Sequence, residues 1–206
     1  QWIWNQTLHQ VVLNLKGEGD LPWRLAGSAA DEEKFLETLI AANNHLGLNL
    51  LFLGKLILCH LFRKTDAALE NAEQARQSLN GMRGFVPEPM LYFYDSLAQL
   101  DICLSSSAGE QEQILLRVKG NQAGLQHWTP HAPMNFQHKH DLVEAEIARV
   151  SGKVAEAMDR YEKAIAGAAN HAFLQDEALA YELAAEFYLS LGMKKFSQLY
   201  LTEAHY

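Results

Sequence analysis

The chain has 206 residues, of which 49% are hydrophobic and 20% charged, a composition typical of folded globular proteins and not of disordered ones. This length is sufficient to bury a substantial hydrophobic core. The formal net charge is −8, and no run of Lys or Arg is present. Nucleic-acid binding requires clustered positive charge that displaces counterions, so we expect no nucleic-acid partner.

Two features of the chain indicate its compartment. Cys59 and Cys103 lie far apart in apolar segments, which predicts two buried thiols in a reducing environment and no disulfide. The sequence begins at Gln1 without a signal peptide, so we expect a cytoplasmic fragment of a longer protein.

Apolar residues recur three and four positions apart along most of the chain, which predicts amphipathic helices and no strands. The first helix is expected near residues 1–15, followed by a loop over 16–29. The most apolar stretch, residues 46–62, contains Asn49, Lys55 and His60. It is too short and too polar to span a bilayer, so it is interpreted as part of a buried helix and no membrane insertion is expected.

Eight further helices are predicted beyond the first loop, and they form four hairpins. Gly- and Pro-containing stretches near 80–89, 105–109 and 129–133 separate them, and Gly152 and Gly192 mark tight turns. The predicted pairs are 31–62 with 65–80, 89–104 with 109–126, 137–151 with 154–169, and 172–191 with 194–205.

The last two hairpins align with each other at an offset of 40 residues, which sets Gly152 on Gly192. The same offset pairs further positions, several of them small: Ala145 with Ala185, Ala148 with Tyr188, Ala157 with Ser197, Tyr161 with Leu201, and Ala164 with Ala204. Small residues at such positions let helices approach closely, an arrangement typical of tetratricopeptide repeats although the period exceeds the usual length of about 34 residues. We therefore predict an all-α, tetratricopeptide-like superhelix of about four hairpins plus an N-terminal helix. It forms one domain over 1–206, with the N-terminal helix and loop in 1–30 and the hairpins in 31–206.

Four histidines, His127, His131, His138 and His140, fall within fourteen residues and raise three alternatives. The first is a metal site, although Pro130 indicates that the helix ends between His127 and His131. His138 and His140 are two residues apart, a spacing that points them to different sides of a helix. The second is a phosphate-accepting histidine, since Asp141 follows His140. The third is a packed joint between two helices, which the spacing favours.

Residues 121–165, with 93–100 and 178–189, resemble the helical segment of very large bacterial and fungal signalling proteins. In that family a serine/threonine-kinase-like domain is followed by an AAA/STAND-type ATPase, a tetratricopeptide-like region, a GAF domain and a sensor histidine kinase. The stretch that carries the resemblance is a structural hallmark of the family and not a known active site: Trp128, Pro133, Asn135, His138, Lys139, Glu144, Glu146 and Arg149. One departure is that Arg63-Lys64-Thr65-Asp66 replaces the Gly-Asp-Tyr that usually forms the first hairpin turn.

The resemblance implies a non-catalytic module of a cytoplasmic two-component sensor histidine kinase, without a cofactor, that binds a protein partner or couples neighbouring domains. Repeat positions place five charged residues on the face that usually lines the groove of such arrays: Lys139, Glu146, Arg149, Glu182 and Glu186. Two alternatives remain. One is a metal protein or enzyme that uses the region 127–140, and the other is a small-molecule receptor that uses groove aromatics such as Tyr181 or Tyr188.

Overall fold

The structure is a computed structural model that describes residues 2–19, 21–79, 85 and 87–204, and the side chains from residue 5 onward. Most of the loop predicted over 80–89 lies outside the described residues. Within the described ranges the chain forms ten helices and no strand, which confirms the all-α prediction. The helices are α1 (Trp2–Leu15), α2 (Glu32–Ala41), α3 (His45–Leu61), α4 (Thr65–Gln77), α5 (Pro87–Cys103), α6 (Ala108–Trp128), α7 (Pro133–Val150), α8 (Val154–Asn170), α9 (Leu174–Ser190) and α10 (Lys194–Ala204).

The chain divides into two compact units, Gln1–Ile102 and Cys103–Tyr206. In the first unit α3 is the central helix, and α1, α2 and α4 all pack against it. Its core includes Leu51 and Leu58, which pack with Leu25 and Leu39. Gly54 lets α1 approach α3 closely, because a Cβ at this position would lie 3.2 Å from a methyl group of Thr7.

The prediction of one continuous helix over 31–62 is wrong, because the chain turns at residues 42–44 between α2 and α3. Asn43 adopts a left-handed conformation with φ of 48°, which Asn tolerates better than most residues. The side chain of Asn44 then caps α3 by accepting a hydrogen bond of 2.9 Å from the Gly47 N–H. Two consecutive asparagines therefore provide both the helix stop and the next helix start.

Several helices end in the same way, with one left-handed residue whose neighbour donates a hydrogen bond back to a carbonyl five residues earlier. Gly152 and Gly192 occupy this position after α7 and α9, with φ of 71° and 75°. Lys153 then bonds to Ala148 and Met193 bonds to Tyr188, each at 2.9 Å. These are Schellman turns, in which Gly is the favoured residue.

The same turn forms where glycine is absent. Arg63 has φ of 56° after α3, and Lys64 donates to the Cys59 carbonyl at 2.7 Å. The hairpin of α3 and α4 therefore closes without a glycine at its turn. Ala172 repeats the arrangement between α8 and α9, with φ of 58°.

In the second unit the helices pack largely in chain order: α6 on α7, α7 on α8, α8 on α9, and α9 on α10, with a further contact of α7 with α9. The hairpins predicted around Gly152 and Gly192 are thus present. Ala145 and Ala185, matched by the 40-residue offset, are both fully buried. Tyr161 is also fully buried, whereas its counterpart Leu201 on the last helix is 43% exposed. The pairing of 89–104 with 109–126 and the single domain over 1–206 remain predictions.

Both cysteines are buried free thiols, as predicted. Burial raises the pKa of the Cys59 thiol to about 11 and also raises the pKa of the Cys103 thiol. Residues 46–62 lie mostly within α3, which buries even Asn49 and His60. Among the described residues, no helix combines the length and the apolar character needed to cross a membrane.

Candidate functional site

Helix α7 carries most of the residues that the sequence points to. It starts at Pro133, where the missing N–H of proline costs nothing, and it contacts α6, α8 and α9. Because three helices cover it, α7 buries polar side chains that would ordinarily face solvent, including His138, Lys139 and Asp141. Each of them has a partner on a neighbouring element or on α7 itself, as buried polar groups require.

The most deeply buried set joins α7 to α9. The His138 Nε2 lies 2.8 Å from Asp176 Oδ2, and the Lys139 ammonium donates to the same oxygen. The Lys139 Nζ also lies 3.1 Å from His138 Nε2, so the three groups contact one another mutually. The side chains of His138 and Lys139 are 3% and 4% exposed, and that of Asp176 is 8% exposed. We call this set the α7–α9 triad.

The surroundings of the triad hold it in place. The Phe173 ring lies 4.7 Å from the His138 ring and 4.9 Å from Lys139 Nζ, so it packs against one and forms a cation–π contact with the other. Gly167 of α8 allows the close approach, because a Cβ there would lie 3.0 Å from His138 Cβ. The His138 Nδ1 is buried and has no hydrogen-bond partner among the described residues.

Burial by itself would raise the pKa of the Asp176 carboxyl. The hydrogen bond from His138 and the positive charge of Lys139 outweigh that effect, so the pKa is lowered below its ordinary value. Asp176 is therefore ionised and pairs with Lys139 inside the second unit.

A second pairing joins α7 to α8. Arg160 Nη1 donates to Asp141 Oδ1 at 2.6 Å, and Gln137 donates to the other oxygen of the same carboxylate at 2.8 Å. Because Arg160 is 31% exposed, this pair lies closer to the surface than the triad.

A third pairing joins α7 to α6. Gln122 donates to the His140 carbonyl at 3.1 Å and to Glu144 Oε1 at 2.7 Å. The imidazole of His140 lies 4.0 Å from that carboxylate, and burial lowers the pKa of His140. His138 and His140 thus face different neighbours, as their two-residue spacing predicts.

A fourth set completes the helix near its C-terminus. Arg149 donates to Glu146 Oε2 at 2.6 Å through Nη2 and at 2.8 Å through Nε, and the Tyr161 hydroxyl of α8 donates to the other carboxylate oxygen. Burial and the neighbouring Glu146 carboxylate raise the pKa of Tyr161 far above its ordinary value. The phenol therefore stays protonated and acts as a hydrogen-bond donor.

The five residues assigned from the sequence to an interaction groove do not share one environment. Lys139 and Glu146 are 3% and 2% exposed, so their charges serve internal pairs and are not accessible to a partner in this structure. Arg149 is half-buried against Glu146, Glu182 is half-buried, and Glu186 is exposed. The interaction groove stays a prediction, which now depends on Arg149, Glu182 and Glu186.

The remaining histidines do not join the triad. His127 and His131 are exposed, with ring centroids 6.0 Å apart, on either side of the end of α6 at Trp128. The Trp128 ring packs 5.6 Å from Phe136 and forms the expected joint between α6 and α7. Within the described residues, no group of three or more His, Cys, Asp or Glu side chains is arranged to hold a metal ion.

Of the aromatics considered for a receptor groove, Tyr188 is 6% exposed and Tyr181 is half-buried. Their rings lie 4.9 Å and 5.8 Å from that of Tyr200, so both belong to an aromatic cluster at the α9–α10 contact. The small-molecule alternative at these two residues stays a prediction.

Sequence reasoning missed Asp176 and Arg160 as partners of α7, and it assigned Tyr161 only to a repeat position and not to a hydrogen bond with Glu146. One signal was available for Asp176. The 40-residue offset aligns it with Phe136, about one helical turn before Lys139, and the first helices of successive hairpins lie side by side in repeat arrays. An acidic residue in the first turn of α9 was therefore a candidate partner for Lys139.

Comparison with known proteins identified no relative of this chain. No family model matches the chain, and no curated protein or solved structure matches it significantly.

The arrangement around α7 acts as a set of internal locks. In each of these sets the charged and polar groups pair with one another inside the protein, and the triad links α7 to α9. Buried ion pairs often contribute little net stability compared with apolar residues, but they penalise any packing that separates the partners. The polar contacts of α7 therefore favour one alignment of this helix with its neighbours.

Proposed function

We propose that this chain is a tetratricopeptide-like interaction and relay module of a cytoplasmic multi-domain sensor histidine kinase that also contains an ATPase domain. The family context is supported by the resemblance of residues 121–165 and 178–189. The repeat assignment is supported by the matched turns at Gly152 and Gly192 and by the matched buried positions Ala145 and Ala185. In this proposal the module itself is not catalytic.

The observation that carries the proposal is the successive packing of α7, α8 and α9, with polar locks that join α7 to both of the others. In helical arrays each hairpin touches mainly its neighbours, so a displacement at one end passes along the stack. A stack whose helices could slide would absorb such a displacement. The α7–α9 triad opposes sliding, because any shift would separate buried charges.

The partner-binding part of the proposal depends on α9. Glu182 and Glu186 lie one turn apart and therefore share a face of that helix. Arg149 is a poor choice for a charge-reversal test, since its substitution would leave the buried Glu146 without a cation. The accessible acidic pair on α9 is the better target.

The direct test of the family context is the gene sequence on both sides of residues 1–206. A nucleotide-binding loop upstream with a GAF domain and kinase core downstream is the expected result. A gene that encodes none of these domains would contradict the proposal.

The partner-binding part of the proposal is tested in the full-length protein by the substitutions Glu182→Lys and Glu186→Lys together, with autophosphorylation as the measurement. We expect the double substitution to change the rate by about tenfold, and Glu156→Lys, at an exposed position on α8, to leave it unchanged. Equal rates for the α9 variant and the wild type would remove this face from the proposal.

A further inference from the structure

Helix α1 of the first unit buries a polar face. Gln10 and Asn14 are fully buried, and both pair with the loop that follows the helix. Gln10 accepts hydrogen bonds from the N–H groups of Ala29 and Ala30, and Asn14 donates to the Arg24 carbonyl. These bonds, together with the packing of α1 on α3, hold the helix in one orientation.

Another side of α1 presents apolar side chains to solvent. Leu8, Val12 and Leu15 are 47%, 52% and 38% exposed. They are four and three residues apart, so they follow one side of the helix, and the exposed Asn5 continues the same line toward its N-terminus. We call Asn5, Leu8, Val12 and Leu15 the α1 stripe. Covering its apolar members would be favourable in proportion to the area removed from water.

The helix that carries the stripe has no formal charge. Helix α1 contains no Asp, Glu, Lys or Arg, although the whole chain has 25 acidic and 17 basic residues. Lys16, which follows the helix, is paired with Glu18 at 2.8 Å. Like charges that face one another oppose association. Two α1 helices can therefore meet along the stripe although each chain has a net charge of −8.

The same composition argues against a lipid surface as the occupant of the stripe. Helices that lie in the interface of a membrane carry Lys and Arg on their polar face, and these residues attract anionic headgroups. Helix α1 has neither, and the net negative charge of the chain opposes its approach to an anionic membrane. A second copy of the chain is therefore the better occupant.

The order of residues in the stripe is that of a two-stranded coiled coil. The spacing of three, four and three residues places Asn5 and Val12 at a positions and Leu8 and Leu15 at d positions of the heptad. A β-branched residue at a with Leu at d favours parallel pairs, and a single Asn at an a position specifies the register and the number of strands. In a parallel pair each residue of the stripe faces its own counterpart, so the two Asn5 amides can hydrogen-bond to each other.

We propose that the α1 stripe is an interface with a second copy of this chain, in which two α1 helices pack in parallel and in register. Because α3 and the following loop already hold the helix, pairing requires no folding of α1. The 14 residues of α1 span about 21 Å, which is two heptads. Such a small interface gives a weak dimer, with an expected Kd of about 10 µM. This interface is independent of the relay role proposed for the second unit.

Sedimentation equilibrium of the 206-residue chain between about 1 and 100 µM measures the association. We expect a reversible monomer–dimer equilibrium. Val12→Lys should weaken it by at least about tenfold, because the two ammonium groups would face one another in an apolar seam. Val12 is largely exposed, so this variant is expected to fold, and thermal unfolding verifies that it does. Leu116→Lys, at a position on α6 that is 63% exposed, is the matched control and should dimerise like the wild type.

Oxidative cross-linking tests the direction of the two helices. In a parallel pair Leu8 faces its own counterpart at a separation that a disulfide can span, whereas in an antiparallel pair it faces Leu15. Leu8→Cys alone should therefore form a disulfide-linked dimer. Leu116→Cys is the control for random collision and should not, and the native thiols Cys59 and Cys103 are buried.

Three results would overturn the proposal. The first is a monomer at about 100 µM, or association that is unchanged in folded Val12→Lys. The second is faster cross-linking between Leu8→Cys and Leu15→Cys in a mixture than of Leu8→Cys with itself, since the helices would then be antiparallel. The third is a monomeric chain that sediments with phosphatidylcholine vesicles, because the stripe would then bind a lipid surface.

Discussion

Substitution of Asp176 by Asn is the most informative perturbation of the second unit. The change keeps the shape of the side chain but removes the charge that neutralises Lys139, whose side chain is 4% exposed. Removal of one partner from a buried ion pair typically costs about 3–5 kcal/mol, because the other charge is left uncompensated. Since whole domains are stable by only about 5–15 kcal/mol, we expect a large loss, of about 3 kcal/mol.

A double-mutant cycle separates the charge from the packing. Lys139→Met together with Asp176→Asn removes both charges and retains most of the volume, so the double variant should lose only about 1 kcal/mol. It should therefore be more stable than Asp176→Asn alone. Urea unfolding followed by circular dichroism gives the free energy of unfolding for each variant.

The matched control is an exposed ion pair in the same unit. Lys163 and Asp159 of α8 lie 2.6 Å apart but are 54% and 59% exposed, so Asp159→Asn should cost at most about 0.5 kcal/mol. If Asp176→Asn were as mild as this control, or if the losses in the double variant simply added, the triad would not be the buried lock described above.

Three further predictions concern backbone strain, acid stability and the thiols. Ala172→Gly should stabilise the second unit by about 1 kcal/mol, because Ala172 has φ of 58°. Gly152→Ala should destabilise it by a similar amount, since the added Cβ would contact nothing and only the conformational strain would count. A lower melting temperature for Ala172→Gly, or a higher one for Gly152→Ala, would contradict this. The lowered pKa of Asp176 gives a stabilising contribution that is present above the unfolded pKa of about 3.9 and is lost as the pH falls through the lower folded pKa. The difference in the free energy of unfolding between wild type and Asp176→Asn should therefore narrow between about pH 5 and pH 2. A difference that widens on acidification would refute the assignment. Cys59 and Cys103 should react with a disulfide reagent at least about 100-fold more slowly in the native protein than in urea, because both thiols are buried and their pKa values are raised. Fast reaction of the native protein would show that the thiols are accessible.

Local signals in the sequence were sufficient for most helices. Gly152 and Gly192 mark turns because glycine readily adopts the left-handed conformation, and α8 and α10 begin two residues after them. The break at Asn43 was missed because the apolar periodicity continues on both sides of it. The turn then depends on two polar residues that the periodicity does not weigh.

The environment of α7 was harder to predict for a different reason. Lys139 and Glu146 have the composition of a solvated helix face, and their partners Asp176 and Tyr161 lie 37 and 15 residues away. Whether a charged side chain faces solvent or a buried partner depends on tertiary packing, which residue type alone does not determine. The family resemblance predicted a structural stretch here, but it did not predict which side chains pair.

Native-state hydrogen exchange tests most directly the claim that α7 is an interior helix locked to α9. The account predicts that the amides of α7 are among the slowest to exchange in the second unit, slower than those of α10. It also predicts that Asp176→Asn accelerates exchange in α7 and α9 together. Exchange in α7 as fast as in α10, or acceleration confined to α9, would contradict the account.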